Sequence, residues 1–70
     1  MKVFEIIRTK DLESFYILAE NPLDAIRIHK QNLDKIQKDK QAMFFDTGNS
    51  YVLKYDNDVY CLVYKYKSRE

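Results

Sequence analysis

The segment Val59-Tyr60-Cys61-Leu62-Val63-Tyr64-Lys65-Tyr66 carries apolar or aromatic side chains at every position but Lys65. Alternate residues of an extended chain point to opposite sides. Val59, Cys61 and Val63 therefore share one face, and Tyr60, Leu62, Tyr64 and Tyr66 share the other. A chain of 70 residues with one helix-forming stretch can cover only one side of a sheet. The second face needs a partner, a second copy of the chain, or tolerance of an exposed aromatic surface.

Composition supports a folded chain. Hydrophobic residues make up 46% and charged residues 33%, enough apolar area for a core and too much for disorder. The formal charge of +1 gives no bulk attraction to nucleic acid or acidic membranes, so any such contact needs a local patch. Cys61 is the only cysteine and cannot form an internal disulfide, which fits a reducing, cytoplasmic setting. The first residues lack a signal-like apolar run, and no stretch reaches transmembrane length. The expectation is one soluble domain spanning residues 1–70, with no membrane contact.

Residues 2–8 read as a strand because β-branched and aromatic residues dominate. A polar link at 9–13 leads to a second strand at 14–19, and so short a connection favours antiparallel pairing. Asn21-Pro22 is the sharpest punctuation: Asn21 suits an N-cap and Pro22 the first helical position. Asp24 follows in the first turn, where the helix dipole favours an acid. A helix is predicted from Pro22 to Lys38 or Lys40, with Ala25, Ile26, His29, Leu33 and Ile36 on one stripe. Ala42-Met43-Phe44-Phe45 reads as a short strand or an apolar helix tail, with the strand preferred. Asp46-Thr47-Gly48-Asn49 is a turn, Ser50–Tyr55 a strand, and Asp56-Asn57-Asp58 a tight link into the last strand, with Asn57 tolerant of a left-handed backbone. The predicted fold is α+β: an antiparallel sheet of four to five strands with one amphipathic helix on one face. Phe4, Ile6, Phe15, Ile17 and Ala19 are expected to face the helix. Val3, Glu5, Ile7, Tyr16, Leu18 and the tyrosine row of the last strand are expected to face away.

Candidate reaction chemistry is sparse. Asp46-Thr47-Gly48 matches the short motif around the catalytic acid of aspartic proteases, but these residues are also good turn formers, and that chemistry needs a second carboxylate and a larger barrel. His29 sits on the apolar helix stripe without a carboxylate to orient it, which suits packing better than proton transfer. Cys61, at a position read as core, suits an inert buried thiol better than a nucleophile. One histidine and one cysteine make a zinc site improbable, and a single glycine, Gly48, excludes a glycine-rich phosphate loop. Neither a cofactor nor a metal is expected, and an enzyme is the least supported class.

Two binding classes remain. A protein-binding surface would use Tyr16, Leu18, Tyr60, Leu62, Tyr64 and Tyr66, because tyrosines concentrate binding energy at interfaces. Nucleic-acid binding is the alternative. Tyr64 and Tyr66 would stack bases while Arg8, Lys54, Lys65 and Lys67 neutralise phosphates, although lysines also protect sheet edges.

The run Phe15-Tyr16-Ile17-Leu18-Ala19-Glu20-Asn21-Pro22-Leu23-Asp24-Ala25-Ile26 has a strand ending in Ala-Glu-Asn and a helix opening on an acid followed by Ala-Ile. It resembles the strand-to-helix junction of small DpnD/PcfM-like proteins of phages and bacterial mobile elements, over about half the chain. The resemblance implies no established activity and no site residues. It implies a phage or mobile-element origin. Together these expectations describe a non-catalytic protein-binding module, self-associating or acting by occlusion on a host defence or regulatory protein.

Overall fold

The β-branched and aromatic residues at the start of the chain form the hairpin their composition demands. Strand β1 (Lys2–Arg8) pairs antiparallel with β2 (Glu13–Ala19), setting Phe4 beside Ile17 and Ile6 beside Phe15. Helix α1 (Pro22–Ile36) follows, then β3 (Ala42–Asp46), β4 (Tyr51–Tyr55) and β5 (Asp58–Lys67). The computed structural model describes residues 1–38, 40–48 and 50–67, with side chains described as far as Leu62. The fold is α+β, and the five-stranded antiparallel sheet has the order β2-β1-β5-β4-β3. The preferred strand at 42–45 is present, as β3. It and β2 form the two edges, and α1 carries the chain from one to the other across a single face.

The Asn21 side chain accepts from the Asp24 N–H at 2.9 Å, so the helix opens as its sequence dictates. It closes two residues before Lys38. The Gln37 N–H donates back to Leu33 at 2.8 Å, and the Gln37 carbonyl accepts from the Tyr55 hydroxyl at 3.0 Å. The single hydroxyl proton is shared with Asp34, the nearer acceptor at 2.5 Å, and Lys30 lies 2.8 Å from the other Asp34 oxygen. Burial first, then Asp34, pushes the Tyr55 phenol up to about 12, and Lys30 followed by Tyr55 holds the Asp34 carboxyl below its ordinary value. A strand side chain thus ends the helix, which no local signal in the helix encodes. Ile36, the last residue of α1 and expected on the buried stripe, is exposed.

The core lies between α1 and the sheet. Ala25, Ile26 and Leu33 pack over Phe4, Ile6, Ile17, Ala19, Leu53, Tyr55, Tyr60 and Leu62. The first hairpin matches expectation, and so does the helix face at Ala25, Ile26, His29 and Leu33, though not at Ile36. The last strand does not: Tyr60 and Leu62 point under the helix and are buried, whereas Cys61 is half-buried on the opposite side. The register explains the difference. Ile6 pairs with Leu62 but Glu5 pairs with Tyr64, so the ladder skips Val63. A bulge of this kind breaks the strict alternation on which the assignment of faces rested.

Among the described residues, three loops contain a residue at positive φ, one of them at Gly48 (φ 89°) in the β3–β4 turn and two at non-glycine residues. Asp56, rather than Asn57, takes positive φ (57°) in the β4–β5 link. In the first hairpin Leu12 has φ 60°, with its N–H donating to the Arg8 carbonyl at 2.7 Å. A left-handed leucine is strained, and this one is mostly exposed, so it gains little packing in return. Leu12→Gly is expected to stabilise the domain by about 0.5–1 kcal/mol, since glycine accepts this backbone without penalty but loses chain entropy on folding. Urea denaturation checks it, and an unchanged or lower midpoint would contradict the strain.

Candidate functional site

The face of the sheet turned away from α1 has no second layer over it among the described residues. Register places its side chains in rows. One row runs Ser14–Ile7–Cys61–Val52–Phe45 across all five strands, and every member after Ser14 is apolar or a thiol. Beside it, Leu18 pairs with Val3 and Tyr16 with Glu5. Toward the far edge, Val59 pairs with Lys54 and Lys54 with Met43. Tyr16 is 60% exposed, Leu18 55%, Met43 53% and Phe45 44%. Fully burying such a side chain is worth ~1.5–3 kcal/mol, and roughly half of that remains unused at each of the four.

The polar groups on this face are arranged for structure. The Glu5 carboxylate accepts from the Ser14 hydroxyl at 2.7 Å and more weakly from Tyr16 at 3.5 Å. A carboxylate satisfied by two hydroxyls can sit on an apolar surface at low cost, and it orients the Tyr16 ring.

On the helix side an open groove of about 530 Å³ runs between β2 and the C-terminal half of α1. His29 lies 97% buried within its lining, with its ring between Phe15 (centroids 4.9 Å) and Tyr60 (4.7 Å). Its Nε2 has no hydrogen-bond partner among the described residues. Burial first, then the Arg8 charge, lowers the imidazole to about 4, so it is neutral at physiological pH. The Arg8 guanidinium lies 5.5 Å from the Phe15 ring centre and forks onto Asp11 at 2.8 and 3.0 Å, with Glu13 at 2.5 Å. Hydrogen bonding to Asp11 raises Arg8 above its ordinary value, and Arg8 in turn lowers Asp11. The cluster packs the end of the sheet against the helix.

The other chemical candidates fall apart spatially. Cys61 lies on the outer face and His29 under the helix, so they form no nucleophile–base pair. Asp46 accepts from the Gly48 N–H at 2.9 Å, and Thr47 and Ser50 exchange hydrogen bonds at 3.0 Å, which is turn chemistry. No group of three or more potential metal ligands gathers among the described residues. No helix among the described residues is long and apolar enough to cross a membrane.

Of the expected protein-contact set, Tyr16 and Leu18 lie exposed on the outer face. Tyr60 and Leu62 are core residues and leave the set. The side chains of Tyr64 and Tyr66 lie outside the described residues, although register sets their backbone beside Glu5 and Val3. Of the nucleic-acid set, the two residues whose side chains are described lie on opposite faces of the sheet. Arg8 is on the helix side, committed to two acids, while Lys54 is exposed on the outer face, and the side chains of Lys65 and Lys67 lie outside the described residues. Tyrosine counting missed Met43, Phe44 and Phe45, all exposed on edge strand β3. The sequence shows an unbroken apolar run at 42–45, but only the place of β3 at the sheet edge makes it exposed. Set against protein-family models, curated proteins and solved structures, the chain matches none.

Proposed function

We propose that this chain is a non-catalytic protein-binding module that docks a partner on the helix-free face of its sheet. The observation that carries the proposal is the row Ile7–Cys61–Val52–Phe45, apolar or thiol across four strands and uncovered among the described residues, with exposed Tyr16 and Leu18 beside it on β2. Small proteins seldom leave so broad an apolar patch without a contact to make. A rigid sheet pays little ordering entropy on docking, and tyrosine adds area and a hydroxyl with few rotatable bonds. The junction at Phe15–Ile26, with its likeness to phage and mobile-element proteins, makes a host defence or regulatory protein the proposed partner. Occlusion suffices as mechanism: a small domain blocks a site by occupying it.

The test compares wild type with Tyr16→Ser/Leu18→Ser as baits in a bacterial lysate, with circular dichroism confirming that both are folded. Wild type is expected to retain a protein that the variant loses. Equal capture by both baits, or none by wild type, would remove the outer face as a docking surface. Binding of a single-stranded oligonucleotide that collapses between low and moderate salt would move the reading to nucleic acid.

A further inference from the structure

We infer that two copies of this chain pair antiparallel through the free edge of β3, joining their sheets into one of ten strands. The inference goes beyond partner docking on the outer face, whose exposed Tyr16 and Leu18 belong to the opposite edge, β2.

The backbone phase of β3 is known from its two ends. The Gln41 carbonyl accepts from Asp56 and the Thr47 N–H donates to Ser50, so odd-numbered residues of this segment turn their N–H and C=O groups toward β4. In an antiparallel ladder the intervening residues turn theirs the other way. Ala42, Phe44 and Asp46 therefore present backbone donors and acceptors along an open edge. Sheets ordinarily protect such an edge with charge, proline or a bulge. Residues 42–45 contain no charge or proline, and the β3–β4 register is continuous. The opposite edge differs, because the inward side chains of β2 are already packed against the core whereas Met43, Phe44 and Phe45 are exposed on both faces of β3.

Phase and charge together select a register. Hydrogen-bonded pairs must join even-numbered residues, so a two-fold pairing centres on a residue, and Met43 and Phe44 are the two central to the apolar run 42–45. Centring on Met43 sets Ala42 opposite Phe44 of the second copy, small against large, and Lys40 opposite its Asp46. By symmetry this cross-strand charge pair occurs twice. Centring on Phe44 loses it and opposes Asp46 to Ala42. Lys40 now lies 3.8 Å from Asp56, an exposed contact that costs little to exchange. The two Met43 residues meet in a non-hydrogen-bonded pair, with Cα atoms about 4.5 Å apart, within disulfide reach.

Analytical ultracentrifugation of wild type across a concentration series is expected to show a monomer–dimer equilibrium. Met43→Cys in a Cys61→Ser background is expected to give a disulfide-linked dimer on mild oxidation, whereas Phe44→Cys in that background does not. Lys40→Glu is expected to weaken the dimer about tenfold by turning two attractive pairs repulsive, with Lys40→Asp/Asp46→Lys restoring it. Thermal melts confirm that each variant is folded. A monomer at every concentration overturns the inference. Cross-linking through Phe44→Cys instead of Met43→Cys overturns the register. A dimer abolished by Tyr16→Ser/Leu18→Ser but indifferent to Lys40→Glu would move self-association to the outer face.

Discussion

Leu62→Ser is expected to unfold most of the population, whereas Tyr16→Ser and Leu18→Ser leave the domain folded. By sequence these residues were members of one contact set, but Leu62 is 7% exposed beneath the helix. Replacing it with serine removes a buried isobutyl group, leaves a cavity and buries a hydroxyl, together costing about 3–5 kcal/mol. A domain this small has little more than that in reserve. Tyr16 and Leu18 already meet solvent, so their replacement should shift stability by less than about 1 kcal/mol. Circular dichroism and urea titration separate the two classes. A cooperatively folded Leu62→Ser protein with a near-wild-type midpoint would contradict its place in the core. The distinction matters for function, because loss of partner binding on mutating Tyr60 or Leu62 would report unfolding.

Acid is expected to destabilise the protein through His29 well before carboxylate protonation contributes. The imidazole is held neutral to about 4, against 6.5 for the free side chain. Above pH 6.5 neither the folded nor the unfolded chain protonates it, and the stability it confers is fully present. Between 6.5 and 4 the unfolded chain binds a proton that the folded chain refuses, so stability falls as pH falls. The loss reaches about 3 kcal/mol near pH 4. Asp11 and Asp34, lowered from 3.8, stabilise the fold above that value and lose their effect only below it. The window from 6.5 to 4 therefore separates His29 from them. Urea midpoints measured in steps through this window should slope for wild type and flatten in His29→Leu. Equal slopes in both proteins would assign the acid sensitivity elsewhere.

Much of the fold was legible because the signals are local. Asn21-Pro22 and Asp24 set the helix start through capping and backbone geometry that adjacent residues decide. Alternation in Phe4, Ile6, Phe15, Ile17 and Ala19 identified the buried face of the first hairpin because no bulge interrupts it. Three features were not legible. The bulge opposite Glu5 and Ile6 shifts the faces of β5, and it arises from pairing with β1, far away in sequence. The end of α1 depends on Tyr55, a strand residue reaching back to Gln37 and Asp34. The exposure of Met43, Phe44 and Phe45 follows from the position of β3 at an edge, and strand order is not a local property.

Sequence alone determined that one helix would lie on one side of an antiparallel sheet and leave the reverse side bare. Periodicity and capping are short-range, and the chain has apolar residues for more surface than one helix can cover. Tertiary structure alone decided which side chains occupy that bare side, because pairing between the first and last strands chooses the register. It also decided which strand keeps an open edge.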